Sequence, residues 1–300
     1  MGCLVTQHLS GRGRGALLGL LLAAFCWAST EAYAQIAYQP EFDVDAVSVR
    51  GDGASETRVD VYTKVPYQSL RFLSQEGGFG ARYSVSVDIY RTNADGDVQG
   101  LVRSRMWERE VGAPTYDATQ ADTLFDYATQ SLQLAPGAYA FEVQVEDAAS
   151  NRTFTRELPL EVRDFDEPIA MSDLLIADRY DPGEQVLFPN VSNAVGTDRD
   201  EFTLFYEIYA ERAQTLRVRY EVLPQNRERR KPAVLRPLLG LPPLEEDDST
   251  PEFRTSETLE VRAGRNPATL TLDTDRFGTG EYVFNVHLEN ASGTVVAEAS

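Results

Sequence analysis

The chain reads as all-β: two tandem immunoglobulin/fibronectin-like β-sandwich domains behind an N-terminal signal peptide. Three observations predict this. Apolar side chains recur with period two along many short segments, the signature of strands with one buried face. No segment after residue 34 carries a long apolar stripe at helical spacing. One strand-like segment recurs 143 residues further on, as a duplicated module would.

The N-terminus has the three parts of a secretory signal. Arg12 and Arg14 form a positive start, residues 16–28 are apolar, and Ala32-Tyr33-Ala34 supplies small-x-small. Cleavage is expected between Ala34 and Gln35. The apolar run is short for a membrane span, and no later segment approaches the roughly 20 apolar residues a span needs. The mature chain is therefore expected to have no transmembrane span and to be exported. Its destination is the periplasm, the outer membrane or the extracellular space. Cys3 and Cys26, the only cysteines, lie inside the signal. The mature chain thus has no disulfide, thiolate nucleophile or Cys-ligated metal to draw on.

Domain 1 is expected over residues 35–163. Val59, Val61, Thr63 and Val65 alternate with Arg58, Asp60, Tyr62 and Lys64, which are expected to be wet. Tyr83, Val85, Val87 and Ile89 alternate with Arg82, Ser84, Ser86 and Asp88. Asn93-Ala94-Asp95-Gly96 and Pro136-Gly137 read as turns. Gly77-Gly78-Phe79-Gly80 leads into a strand and reads as a hairpin or bulge, not a phosphate loop. Residues 118–128 are compatible with a short helix or a strand. The segment from Gly137 to Ala148 (GAYAFEVQVEDA) recurs from Gly280 to Ala291 (GEYVFNVHLENA). In each, a glycine turn opens a strand whose Tyr, Phe and aliphatic positions share one face. Such a strand is common near the end of immunoglobulin-like sandwiches.

The acidic run Asp164-Phe165-Asp166-Glu167-Pro168 marks the boundary, so domain 2 is expected over residues 164–300. Leu216, Val218, Tyr220 and Val222 alternate with polar neighbours. A proline-rich charged insertion spans residues 224–253. It begins basic (Arg227, Arg229, Arg230, Lys231) and ends acidic (Glu245, Glu246, Asp247, Asp248), with leucines between. Long loops of this kind are uncommon in compact domains and tend to be functional.

Charge and residue inventory exclude several functions. The chain has 28 basic and 47 acidic residues, a net charge of -19. Removing Arg12, Arg14 and Glu31 with the signal leaves 26 and 46, a net of -20. Nucleic acid is therefore not an expected partner. Lys64 and Lys231 are the only lysines, an arginine bias that fits either salt adaptation or a GC-rich genome. His287 is the only histidine after residue 34, and it is expected at an exposed strand position. One His and no Cys leave little for triad chemistry or a zinc site. No catalytic residue, cofactor or metal is expected, and a protein without enzymatic activity is the leading reading. Asn93, Asp95 and Asp97 resemble the start of a calcium loop, yet the distant Glu falls in the next strand, so a polar turn is expected. Asn151, Asn190 and Asn290 open glycosylation triplets.

Two regions stand out for contact with a partner. One is the segment around Trp107, the only tryptophan of the mature chain, which is either a core anchor or a contact residue. The other is the charged loop with Arg227, Arg229, Arg230 and Lys231.

The stretch VYTKVPYQSLRF from Val61 to Phe72 resembles the early V-Y-x-x-x-P-Y-x-x-L-x-F region of bacterial GWxTD-domain proteins. The stretch from Gly78 to Val87 is similar to them too. So are Pro136-Gly137-x-Tyr139, Met171-Ser172-Asp173-Leu174 and Phe188-Pro189-Asn190-Val191. The resemblance covers roughly 40–300 and the N-terminal part of that family's layout. The Gly-Trp-x-Thr-Asp motif itself is absent, since Trp107 follows Met106 and precedes Glu108. The resemblance implies an exported protein and assigns no activity. The functional expectation is an exported, non-catalytic interaction or scaffold protein of the envelope with a protein partner. The alternatives are a carboxylate-dependent hydrolase of polysaccharide or peptide, and a structural spacer for a missing C-terminal domain.

Overall fold

The structure is a computed structural model that describes residues 41–51, 57–93, 95–184, 186–196, 199–225 and 251–300. The signal segment with Ala34 and Gln35 lies outside the described residues, as do Arg227, Arg229, Arg230 and Lys231. Residues 41–300 form one compact unit. It holds two β-sandwiches, and no helix among the described residues is long and apolar enough to cross a membrane.

The first sandwich sets three strands against five. The smaller sheet runs β1 (Asp43–Arg50), β2 (Thr57–Pro66), β6 (Phe125–Leu134). The larger contains β3 (Leu73–Gln75), β4 (Gly78–Thr92), β5 (Val98–Ala113), β7 (Gly137–Asp147) and β8 (Arg152–Val162). In it β4 lies between β5 and β7, and β8 closes the far edge. The alternation read from sequence lands on the core: Val59, Val61, Thr63, Val65, Val85, Val87 and Ile89 have no exposed surface. Residues 118–128 split between both readings, with a helical turn at Tyr116–Thr119 capped by the Thr115 side chain and β6 beyond it. The glycines at 77 and 78 make the predicted hairpin. Gly78 has φ +151°, and a Cβ there would meet the Ala113 carbonyl oxygen at 2.5 Å, so only glycine fits.

The second sandwich repeats the plan. One sheet holds β9 (Ile169–Met171), β10 (Leu175–Asp181), β11 (Val186–Pro189), β12 (Glu201–Ala210) and β15 (Gly264–Asp273). The other runs β14 (Phe253–Val261), β13 (Gln214–Pro224), β16 (Tyr282–Glu289), β17 (Val295–Ala299). Strand order makes the pairs β1/β10, β2/β12, β4/β13, β5/β14, β6/β15, β7/β16 and β8/β17 equivalent. All recorded pairings are antiparallel, as immunoglobulin-like sandwiches require.

The recurring sequence segment is the β7/β16 pair. Its tyrosines make the same bond in both sandwiches. Tyr139 donates its hydroxyl to the Ala135 carbonyl at 2.9 Å, and Tyr282 donates to the Gly278 carbonyl at 3.0 Å. This is a tyrosine corner, which ties the incoming loop to the strand that follows. The glycine ahead of each leaves room for the turn; Gly137 has φ +140°.

The three-stranded sheet of the first sandwich packs outward against the second. Val47, Val49 and Leu175 form a small buried cluster with Tyr62 and Leu187 beside it. The Ser48 amide donates to Asp173 Oδ2 at 2.7 Å, and the Asp173 amide donates to the Ser48 carbonyl at 3.1 Å. The Arg50 amide donates to the Tyr209 hydroxyl at 3.0 Å. The expectation of a wet outer face on β2 is therefore corrected: Asp60 is buried, and Arg58, Tyr62 and Lys64 are half-buried. Alternation marks the more polar face of a strand, but a neighbouring sheet can cover that face as water can. β12 carries the same message, since Phe205, Glu207 and Tyr209 on its outer face are buried too.

Candidate functional site

Trp107 lies on β5, and this strand is an unpaired sheet edge. β5 is 16 residues long and pairs along one side with β4. Among the described residues no strand pairs with its other side. Every second residue of such an edge points its N–H and C=O outward, open to another strand. Four of the eleven large apolar side chains exposed among the described residues belong to β5: Val98, Leu101, Val102 and Met106, at 49–69%. That concentration singles the strand out, because edges are normally short, twisted or heavily charged.

Register divides β5 into two parts. Ile89 pairs with Arg103 but Tyr90 with Leu101, so Val102 is an extra, bulged residue. Arg91 pairs with Gly100 but Thr92 with Val98, so Gln99 is a second one. Bulges twist an edge and discourage pairing. From Arg103 to Ala113 the register is unbroken. At its far end the Gly112 carbonyl accepts from the Tyr67 hydroxyl at 3.5 Å.

The two faces of this regular run differ. Arg103, Arg105, Trp107 and Arg109 stand opposite Ile89, Val87, Val85 and Tyr83, on the core side of the sheet. Val111 continues that row and is buried, while Trp107 is half-buried against the core and Arg105 is exposed. β5 thus ends over the core, and its first half overhangs it. Ser104, Met106, Glu108 and Glu110 occupy the outward face.

The predicted contact residue is mainly an anchor. The Trp107 ring packs on the first core, and its Nε1–H is buried without a hydrogen-bond acceptor. Leaving such a donor unpaired costs about 1–3 kcal/mol. The side chain that solvent reaches is its neighbour Met106. Sequence reasoning singled out this strand through the rarity of tryptophan and did not single out Met106, whose exposure depends on which face of β5 the core covers.

The arginines of this row part ways. Arg109 donates to both carboxylate oxygens of Asp126, at 2.9 and 2.8 Å, and Tyr83 donates its hydroxyl to the same carboxylate at 2.6 Å. This clamp ties β5 and β4 to β6 in the opposite sheet. Burial and the Asp126 charge both push the Tyr83 phenol above its ordinary range, so it stays a donor. Arg103 and Arg105 form no ion pair or hydrogen bond among the described residues.

The second predicted contact, the charged loop, leaves and re-enters at the end of the β13/β14 pair, where Val222 faces Phe253. That pair is the counterpart of β4/β5. The connection between β13 and β14 thus corresponds to the β4/β5 turn, whereas Trp107 lies within β5 itself.

Other features carry less. Asn93 Oδ1 accepts from the Asp95 and Asp97 amides at 3.0 and 2.8 Å, an Asx turn closing the β4/β5 hairpin. His287 is half-buried instead of exposed: Nδ1 lies 3.3 Å from Glu298 and Nε2 4.0 Å from Glu221. It belongs to a charged outer face in which Arg219 pairs with Glu221 and Glu289 and Arg254 pairs with Glu221. A groove of about 690 Å³ opens at one end of the second sandwich, walled by Ile176, Phe202, Phe277, Tyr282 and Phe284. Glu281 is the single acidic side chain among its described lining residues, so this groove does not present a carboxylate pair. No cluster of three or more metal-ligating side chains occurs among the described residues.

No family model and no curated protein matches the chain. Among solved structures it is similar to red sea bream transglutaminase, at 9% identity and a TM-score of 0.28, covering 87% of this chain and 30% of that one. It is similar to trypsin-activated alpha-2-macroglobulin from Escherichia coli at 8% identity and a TM-score of 0.23, covering 87% and 16%. It is also similar to Bacteroides uniformis beta-glucuronidase 2 at 11% identity and a TM-score of 0.26, covering 80% and 25%. The chain spans less than a third of the length of each. Likeness at this level transfers no activity, and the strand order itself carries the fold assignment.

Proposed function

We propose that this chain is an exported, non-catalytic interaction and scaffold module of a bacterial envelope, acting through a protein partner. The observation that carries the reading is the regular stretch of β5 from Arg103 to Ala113, whose outer edge pairs with no strand among the described residues and which exposes Met106. Rigid sandwiches recognise partners through edges and end loops, and a sheet edge offers affinity through backbone hydrogen bonds alone. The secretory pattern before Gln35 and the resemblance to GWxTD-domain proteins support the compartment. The sparse inventory of nucleophiles and ligands supports a role without chemistry.

The test is crosslinking in the native envelope with the full chain as bait, followed by mass spectrometry of bound species. A stoichiometric protein partner is expected. Recovery of the bait alone, under conditions where a known envelope complex is captured, overturns the reading.

A further inference from the structure

The edge of β5 carries information about what it pairs with, and the inference rests on the interaction role proposed above. We infer that residues 103–110 accept an extended segment of a different protein, in which carboxylates alternate with aliphatic side chains. The carboxylates face Arg103 and Arg105, and the aliphatic side chains face Met106.

A strand added to β5 places its side chains alternately beside the Arg103–Arg105–Trp107 row and beside the Ser104–Met106–Glu108 row. The first row offers two arginines without partners among the described residues, since Arg109 is engaged by Asp126. Arginine is suited to planar carboxylates. The second row offers the Met106 thioether, 69% exposed, flanked by Glu108. A carboxylate on that side meets like charge, and an aliphatic group meets methionine. Opposite charges directly across a strand pair stabilise it, and like charges destabilise it.

The chain's overall negative charge does not override this pattern. An added strand lies about 4.8 Å from β5, and about 14 and 19 Å from β7 and β8. Glu142 on β7 and Glu157 on β8 therefore sit beyond the Debye length of about 8 Å at physiological ionic strength. Arg103 and Arg105 lie within it.

A second copy of this chain fits poorly. Two copies pairing their β5 edges antiparallel about a two-fold axis keep like faces together. In every register centred on a residue from 103 to 109, such a pair sets like charges opposite each other. In five of these seven registers the clash is Arg103 or Arg105 against itself or each other, or Glu108 against itself or Glu110; in those centred on 106 and 107 the like pair includes Arg109, whose charge Asp126 balances. The edge thus disfavours self-pairing and leaves heterologous pairing open, which is how a monomer keeps a usable edge.

The experiment uses the purified mature chain and fluorescein-labelled peptides about ten residues long, read by anisotropy. The probe alternates Glu and Val. One control has the same composition with glutamates and valines in two blocks, and another replaces Glu with Lys. Two further peptides carry N-methyl groups on alternate amides, in the two possible phases. The alternating Glu/Val peptide is expected to bind at least about tenfold more tightly than either control. One methylation phase is expected to abolish binding and the other to spare it, because an added strand uses every second amide. The double variant Arg103→Glu/Arg105→Glu, confirmed as folded by circular dichroism, is expected to lose about tenfold. Met106→Lys is expected to lose several-fold, and to do so without touching the arginines. Equal binding of the block peptide, insensitivity to both methylation phases, or no peptide binding at all overturns the inference. A dimer in sedimentation that Arg105→Glu dissociates overturns it in favour of a second copy. Partner capture in the envelope that maps away from β5 sinks this inference and leaves the interaction role standing. Peptide binding without any envelope partner does the reverse.

Discussion

The two sandwiches share one strand plan and treat the same hairpin differently. In the first, β4 and β5 extend to 15 and 16 residues around a five-residue Asx turn, and β5 overhangs the core. In the second, β13 and β14 are 11 and 9 residues long and flank residues 225–252. The charges also differ. On β14, Arg254 pairs with Glu221, Glu257 accepts from the Tyr220 hydroxyl, and Glu260 accepts from Thr215. On β5, Arg103 and Arg105 have no ion pair or hydrogen bond among the described residues. A closed fold satisfies its own charges where it can, so a leftover pair on a regular edge is the feature that asks for a partner.

A tyrosine on the third main strand of each sandwich ties the sheets together, through different chemistry. Tyr83 uses the ionic Arg109–Asp126 pair. Tyr220 lies 2.7 Å from the Tyr206 hydroxyl and donates to Glu257 at 2.6 Å. The largest expected effect is at the ionic clamp. Arg109→Ala strands the Asp126 carboxylate, which is mostly covered, and should cost about 2–3 kcal/mol by urea unfolding. A loss under 0.5 kcal/mol would mean that water takes over the arginine's role. Tyr220→Phe removes the donor to Glu257 and leaves the fully buried Tyr206 hydroxyl without its partner. It should cost about 2 kcal/mol, and equal losses at both sites would erase the distinction between the two ties.

The junction between the sandwiches gives the third test. Asp45 lies on the outer face of β1, where burial foremost, and Asp173 to a lesser degree, push its carboxyl from 3.8 to about 6. The Ala46 amide, at 2.9 Å, and the Asn193 side chain pull in the opposite direction. Tyr62 stands across the strand pair, and Arg163 holds Asp173. The folded chain therefore keeps this proton to higher pH than the unfolded chain. The group's contribution to stability is greatest below 3.8 and is lost as pH rises through about 6. Asp45→Asn should flatten that slope and raise stability at pH 7 by about 1–2 kcal/mol, read from thermal melts at pH 4 and 7. A melting temperature that falls equally at both pH values would show that the cost is independent of the carboxyl's charge and would remove the pH-linked account.

The smallest effect compares the two corners. Tyr139→Phe and Tyr282→Phe should each cost about 1 kcal/mol. Tyr139 should cost more, because it is buried while Tyr282 is half-buried. A reversed order would break the equivalence of the two corners.

Much of this was readable from residues alone. Alternation located β2, β4 and β13, and the recurring G-x-Y-x-F segment located β7 and β16, because strand periodicity and turn chemistry are local properties of the backbone. The choice of the Trp107 strand also came from sequence. What covers each face was not readable. Asp60 and Tyr62 look wet on β2 and lie under another sheet, Trp107 reads as either a core anchor or a contact and packs on the first core, and Met106, which no sequence reading singled out, faces water. The half-buried carboxyl of Asp45 was equally hidden. A strand's pattern states which face is more polar, and that holds wherever the strand sits. Whether water, a second sheet or an empty edge meets the face depends on residues more than a hundred positions away, such as Leu175 against Val49. Only the assembled sandwiches bring those residues together, and only they reveal that β5 outruns the core beneath it.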